Sequence, residues 1–394
     1  MRWLRSFFGT VFGVYLVING YMFIRLYLTL SGFTVLRAAA CLTLALFAVS
    51  FPAARLLAGR IPQALVGAAS FMSALYLSPM IYAFLLTLAA DILRLINNVI
   101  AITRLPPPYS AKTRLCVAAF IFAASIVITL AGAWNANNPV MVKHRIQRDD
   151  FSNTMSGDFS LRIALLSDIH LGQLTGPRYL GKLVSLVNDA SPDIVLILGD
   201  TIDGPDFLRD EARRTASVNL LSSFKSKLGT WVVMGNHDYY AGHAAVENFF
   251  AGADVRLLID EAEAVDGKFI LVGRDDRAGA YYGRSRKSVS DIVSPIISGD
   301  ERYPLIIMDH QPFELGDAAD SGALLQLSGH THRGQLFPLN FFVARMYEKS
   351  YGLYKKENTH YYISSGAGVW GTPVRTVGRP EIVIIDLGET AEDN

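Results

Sequence analysis

Four apolar runs in the first third of the chain constrain its fold more than any other feature. They extend over Phe7–Leu30, Val35–Ala58, Ala64–Ala90 and Leu115–Trp134. Each is long enough to cross a bilayer, which takes about 20 helical residues. Lipid offers a backbone no hydrogen-bond partners, so each run must satisfy its own peptide groups as a helix. Breaks fall at Ser31-Gly32, at Gly59-Arg60-Ile61-Pro62 and in the segment holding Pro106-Pro107-Pro108. The first run is too long for the core of a signal peptide. No small-x-small cleavage site follows it, and three further runs do, so it reads as an anchor. Residues 1–140 are therefore expected to form a transmembrane region with four helices.

Between the third and fourth runs, Asp91–Leu105 places Ile92, Leu95, Ile96 and Val99 on one helical face. The segment reads either as a helix lying in the lipid interface or as a continuation of span three. Asp91 is expected to pair with Arg94 at i,i+3, and Arg25 to snorkel from the end of span one. Charges around the spans divide on orientation. Arg94, Arg104, Lys112 and Arg114 place the third loop in the cytoplasm and the catalytic half outside. Arg2, Arg5, Arg55, Arg60 and the basic stretch 143–148 favour the reverse, and the balance leans only slightly to an extracytoplasmic catalytic half. The spans carry neither an acidic pair nor an internal repeat, so a transport path is poorly provided for.

Charge separates the two halves. Up to residue 140 the sole acidic residue is Asp91, against ten Lys and Arg; the remainder carries 26 basic and 34 acidic residues. All eight histidines lie in that remainder. A mildly acidic half without clustered Lys and Arg argues against nucleic acid as a ligand. Cys41 and Cys116 both fall inside apolar runs. The polar half thus has neither a disulfide framework nor a thiolate metal site.

After a linker at 141–159, residues 160–394 alternate short apolar strands with helical patterns. Strands are expected at Leu161–Ser167, Asp193–Leu198, Trp231–Met234, Phe269–Val272, Leu305–Met308, Leu324–Leu327, Tyr361–Ser364 and Ile382–Leu387, and a helix at Pro177–Ala190. Metal-binding residue types follow directly after five of the strands: Asp168-Ile169-His170, Gly199-Asp200-Thr201-Ile202-Asp203, Gly235-Asn236-His237-Asp238, Asp309-His310 and Gly329-His330-Thr331-His332. Taken singly, each is as easily a turn, an N-cap or a polar hairpin. Together they place six of the eight histidines in or beside strand ends, where α/β architectures build their sites. One shared metal site is expected, held by Asp168, His170, Asp200, Asn236, His310, His330 and His332.

The residue types suit the chemistry. Two divalent cations about 3.5–4 Å apart can clamp a phosphoryl group and activate water for attack on it. A carboxylate must bridge them, and Asp200 is the candidate. Oxygen and imidazole donors without thiolate suit Mn²⁺, Fe or Zn²⁺ rather than a structural zinc cage.

In this order the five blocks resemble the calcineurin-like metallophosphoesterase superfamily over roughly residues 160–390. Gly235 to Gly242, Ser328 to Gln335 and Ser365-Gly366-Ala367-Gly368 look closer still to bacterial transmembrane phosphoesterases related to the UDP-2,3-diacylglucosamine hydrolases. The resemblance implies a four-layer α/β/β/α sandwich in a bacterial inner-membrane protein. It implies that Asp168, His170, Asp200 and His332 hold one metal, and that Asp200, Asn236, His310 and His330 hold the other. His237 becomes the general acid, oriented by Asp203. One departure weakens a phosphoprotein substrate: Gly204 stands where many members carry a phosphate-binding arginine. Arg333 and Arg375 are candidates for phosphate contact, with solvated surface or a structural pair at least as good a reading for each; Tyr239, Tyr240, Tyr281 and Tyr282 are candidates for an acyl or nucleoside pocket, with core or rim packing the default.

The leading expectation is a metal-dependent phosphodiesterase or pyrophosphatase acting on a phosphate ester or pyrophosphate, with a lipid-linked substrate such as UDP-2,3-diacylglucosamine and membrane lipids as partners. A metal-binding signalling or scaffold protein without turnover is the alternative. A transporter with a regulatory phosphatase domain ranks last.

Overall fold

The computed structural model describes residues 2–57, 60–100, 110–147, 159–296 and 303–388. They form two compact units, Met1–Ala133 with Gly371–Val374, and Trp134–Trp370 with Arg375–Asn394.

The described residues of the N-terminal region form four long helices: α1 (Arg2–Thr29), α2 (Thr34–Leu56), α3 (Gln63–Ile100) and α4 (Ala111–Asn137). All four are long and apolar enough to cross a membrane. Helix α3 runs unbroken for 38 residues through Pro79. The described part of the Asp91–Leu105 segment therefore continues span three; residues 101–109, with the three prolines, lie outside the described residues. Arg25 meets the same carboxylate as Arg94. Its Nη2 pairs with Asp91 Oδ1 at 2.6 Å, alongside Arg94 at 3.1 Å and the Tyr21 hydroxyl on Oδ2 at 2.6 Å. A carboxylate in a membrane helix is costly unless paired, and this pairing fastens α1 to α3.

The second unit is built on twelve strands among its described residues. The first sheet orders them β1 (Val140–Ile146), β12 (Glu381–Leu387), β2 (Leu161–Leu166), β3 (Ile194–Leu198), β4 (Thr230–Val233) and β5 (Arg256–Leu258). The second orders them β10 (Gly352–Lys356), β11 (Thr359–Ile363), β9 (Leu325–Ser328), β8 (Leu305–Met308), β7 (Phe269–Gly273) and β6 (Glu261–Val265). Within them β2–β5 and β7, β8, β9 and β11 run parallel, while β12, β6 and β10 pair antiparallel with β2, β7 and β11. Helices α5 (Pro177–Asp189), α6 (Pro205–Arg209), α7 (Glu211–Leu221) and α8 (Asn236–Ala251) follow strands of the first sheet. Helices α9 (Val289–Val293), α10 (Gly316–Asp320) and α11 (Leu339–Met346) accompany the second.

Strand periodicity explains the layering. In β2 and β3, Ile163, Leu165, Leu196 and Leu198 face Leu271, Ile306 and Leu327 of the other sheet across a shared core. The alternate residues Ala164, Leu166, Val195 and Ile197 pack outward against Leu180, Leu183 and Val187 of α5 and Phe250 of α8. On the second sheet, Ile270, Val272 and Ile307 pack outward against Val289 and Ile292 of α9. Strands apolar on both faces are what two covered sheets require. The result is the expected α/β/β/α sandwich. The stretch expected to be a linker at 141–159 differs at its start. Val140–Ile146 adds β1 to the first sheet, parallel to β12 and in register from Val140↔Glu381 to Ile146↔Leu387. Residues 148–158 lie outside the described residues.

Candidate metal centre

The seven expected ligand residues leave the carboxyl ends of strands in both sheets. Asp168 and His170 follow β2, Asp200 follows β3, and Asn236 opens α8 just after β4; His310 follows β8, and His330 and His332 follow β9. Backbone hydrogen bonds hold these loops side by side. Asp168 N–H donates to Gly199 O (3.0 Å), His170 N–H to Asp200 O (2.9 Å) and Gly329 N–H to His310 O (2.9 Å). His330 N–H donates to Asp168 Oδ2 at 2.9 Å, joining the two sheets.

The loops are strained. Asp168, His170, Asp200, His330 and His332 have φ between 48° and 69°, a left-handed conformation that costs a side-chain-bearing residue roughly 1–3 kcal/mol. Close approach dictates two of the glycines. A Cβ on Gly235 would collide with the Asp200 carboxylate, and one on Gly329 with Ser167 Oγ and the Asp168 carboxylate. We expect Gly329→Ala to lower stability by about 1–3 kcal/mol and to reduce bound metal. Thermal unfolding and metal analysis check this, and wild-type values in both would contradict the packing argument.

The side chains converge as two groups. The ligand atoms of Asp168, His170 and His332 lie within 4.8 Å of one another, as do those of Asp200, His310 and His330. Asp200 stands between them, with Oδ2 3.2 Å from His310 Nε2 and 3.8 Å from His170 Nε2. Second contacts fix which nitrogen is free. His310 Nδ1 donates to Leu198 O (2.6 Å) and His170 Nδ1 to Asp203 Oδ1 (3.1 Å), leaving each Nε2 lone pair toward the centre. The Nε2 atoms of His170 and His332 face each other at 3.0 Å. Asn236 Oδ1 is buried without a hydrogen-bond partner among the described residues. Buried acceptors without donors are costly; cations bound by these oxygen and imidazole donors satisfy them, so the donor set fits divalent metals.

The donors are shifted in different directions: burial opposes protonation of His310, but Asp200 and then Asp168 hold its ring well above the ordinary value. Burial pushes the His330 ring down to about 3, helped by the nearby His310, so it stays neutral and available as a ligand. Burial likewise drives His332 well below its ordinary value, with His170 and Arg375 acting in the same direction. Burial raises Asp168. Burial also opposes ionisation of Asp200, but His310 and His237 outweigh it and hold this carboxyl well below the usual range. At Asp203, burial is outweighed by hydrogen bonds from His170 and His237, which keep the carboxylate ionised.

His237 sits at the rim. Its Nδ1 donates to the Asp203 carbonyl at 3.1 Å and lies 3.4 Å from Asp203 Oδ1. Burial acts against protonation of this ring, yet Asp200 and then Asp203 push it up to about 9. The rings of Trp370 and Tyr240 stand 5.9 Å and 5.4 Å away.

Asp238 and Arg375 complete the frame. Asp238 accepts from Gly235 N (2.9 Å), Ile202 N (2.9 Å) and Thr201 N (3.3 Å), locking the second and third loops together. Its place in the third block was the available signal. Of its two expected readings, Arg375 takes the structural one: it is fully buried, with Nη2 3.1 Å from His332 Nδ1 and hydrogen-bonded to Ser365 O. Arg333 is exposed and stacks 4.2 Å over Tyr351, beside a cavity of about 420 Å³ shared with Arg379 and Glu381. Of the four tyrosines, Tyr239 is buried with its hydroxyl on Asp275, while Tyr240, Tyr281 and Tyr282 are exposed. A Cβ on Gly204 would meet open space, so packing does not explain the missing arginine.

Asp, Asn and His thus converge from five strand ends of a two-sheet sandwich, in a chain with four membrane-length helices. The model of the calcineurin-like phosphoesterase family matches residues 161–334. An uncharacterized metallophosphoesterase of Campylobacter jejuni is 32% identical over 320 residues, covering 80% of each chain. One from Helicobacter pylori (strain J99) is 36% identical over 234 residues, 58% of this chain; the match spans 60% of that relative's length. A zebrafish (Danio rerio) transmembrane protein with metallophosphoesterase domain is 33% identical over 294 residues, 71% of this chain and 64% of the relative. The chain belongs to the calcineurin-like metallophosphoesterase family and is a membrane protein.

Proposed function

We propose that this protein is a membrane-held phosphodiesterase or pyrophosphatase with two divalent cations, working on a lipid-linked substrate such as UDP-2,3-diacylglucosamine. Asp168, His170, Asp200 and His332 would hold one cation, and Asp200, Asn236, His310 and His330 the other. When bound, the cations supply Lewis acidity toward the phosphoryl oxygens and lower the pKa of water. Asp200 keeps the two groups of ligands in one frame. Asp203 orients His170 through Nδ1 and His237 from its backbone and carboxylate. His237, held by Nδ1, has Nε2 free to give a proton to the leaving oxygen.

The observation that carries the reading is Asn236 Oδ1, buried in the midst of these groups without a hydrogen-bond partner among the described residues. Natural selection rarely leaves such atoms unsatisfied without a cation or ligand to receive them. The lipid-linked substrate is supported by the membrane spans and by the resemblance of Gly235 to Gly242 and Ser328 to Gln335 to bacterial transmembrane or exported phosphoesterases related to the UDP-2,3-diacylglucosamine hydrolases.

The test is a substrate screen on the full chain with Mn²⁺, Fe²⁺ or Zn²⁺. We expect hydrolysis of an activated aryl phosphodiester and, faster, of UDP-2,3-diacylglucosamine. Turnover of the aryl ester alone would reject the lipid-linked reading. Inactivity toward both, and toward phosphomonoesters, would favour a metal-binding scaffold. That lipid precursor further requires a cytoplasmic site, against the slight charge bias toward an extracytoplasmic one. A C-terminal reporter active solely outside the membrane would exclude it.

A further inference from the structure

Helix α11 contributes nothing to the core: among its described residues none is buried. Yet it is rich in large apolar side chains. Phe341, Phe342 and Met346 are 60%, 65% and 66% exposed in the whole chain, and Phe337, Leu339 and Trp370 extend the same apolar surface. Leu339, Phe342 and Met346 share one helical face at i, i+3, i+7 spacing. A contiguous exposed patch of this kind marks an interaction surface.

The patch is built against the candidate metal centre. Gln335, three residues after His332, exchanges hydrogen bonds with Trp370, donating to its carbonyl (2.9 Å) and accepting from its N–H (3.0 Å). The Trp370 ring lies 5.9 Å from that of His237. At the other end of α11, the Tyr347 ring stands 6.2 Å from His330. The surface therefore borders the centre on two sides.

Charge selects the occupant. The catalytic half is acidic as a whole, yet residues 333–357 carry Arg333, Arg345, Lys349, Lys355 and Lys356 against two acids, Glu348 and Glu357. Glu348 is itself paired with Lys356 at 2.7 Å. An apolar, aromatic helix with basic flanks fits the boundary between anionic headgroups and acyl chains. The same chain carries four helices long and apolar enough to cross a membrane.

We propose that α11, with Phe337 and Trp370, inserts into the membrane interface and seats the catalytic centre at the lipid surface. This inference stands on the patch and the spans, independently of which substrate is cleaved.

The test places a nitroxide at Phe342→Cys or Met346→Cys in the full chain carrying Cys41→Ser and Cys116→Ser. Lys225→Cys, an exposed position elsewhere on the domain, serves as the aqueous control. The protein is reconstituted in phosphatidylcholine vesicles containing phosphatidylglycerol. Relaxation of the label by oxygen is compared with relaxation by a water-soluble nickel chelate. We expect the oxygen-to-nickel ratio at both α11 positions to exceed the control by about threefold or more, as for a side chain below the headgroups. Ratios equal to the control would overturn the proposal. So would shielding from both relaxants, which would assign the patch to a protein partner or a second copy. The readout needs no turnover, so failure of the enzymatic reading and failure of this one are separable.

Discussion

Asp200→Asn is expected to lower kcat/KM for an aryl phosphodiester by at least about a thousandfold, on the order of 4 kcal/mol. The carboxylate is buried, and its two oxygens perform different tasks. Oδ2 stands between His310 Nε2 at 3.2 Å and His170 Nε2 at 3.8 Å, while Oδ1 accepts the His237 N–H at 2.7 Å. The amide keeps the shape but removes the negative charge that a shared ligand must bring to two cations. Steady-state kinetics at saturating Mn²⁺ measure the loss, with circular dichroism to establish that the variant folds. Activity within about tenfold of wild type would remove Asp200 from its assigned position, since general electrostatic effects at a spectator carboxylate are of that size.

His237→Gln is expected to produce the second large effect, and one that depends on the substrate. General acids contribute about 10²–10⁴ in rate, and their contribution shrinks as the leaving group becomes a weaker base. With an alkyl phosphodiester we expect a loss of about a hundredfold or more, and with a nitrophenyl ester less than about tenfold. The ring is prepared for the role. Burial opposes its protonation, but Asp200 and Asp203 prevail and push it up to about 9, so it carries its proton at neutral pH. Equal losses on both esters would assign His237 to substrate binding instead.

Much of the fold was legible because its chemistry is local. Strands β3 and β8 are apolar throughout and β2 is interrupted only by Arg162, so short apolar runs mark them almost to the residue. The candidate ligands were legible for a related reason. A polar Asp, Asn or His directly after such a run has to emerge at the sheet's carboxyl edge, and five such places in one order imply one cavity. What escaped was set by distant partners. Strand β1 contains Lys143, His144 and Arg145 and is half-exposed, and only its register with β12, far along the chain, makes it a strand. The edge strands β6 and β10 carry Glu261 and Glu263, or Lys355 and Lys356, which mute the apolar alternation. Arg25 meets Asp91 across 66 positions and Arg375 meets His332 across 43, contacts that no local spacing encodes.

The metal content of the full-length protein tests the central claim most directly. After removal of adventitious ions and reloading with Mn²⁺, elemental analysis of wild-type protein should find two ions per chain, and fewer in Asp200→Asn. One ion or none in an active wild-type enzyme, or two ions undiminished in Asp200→Asn, would contradict the account.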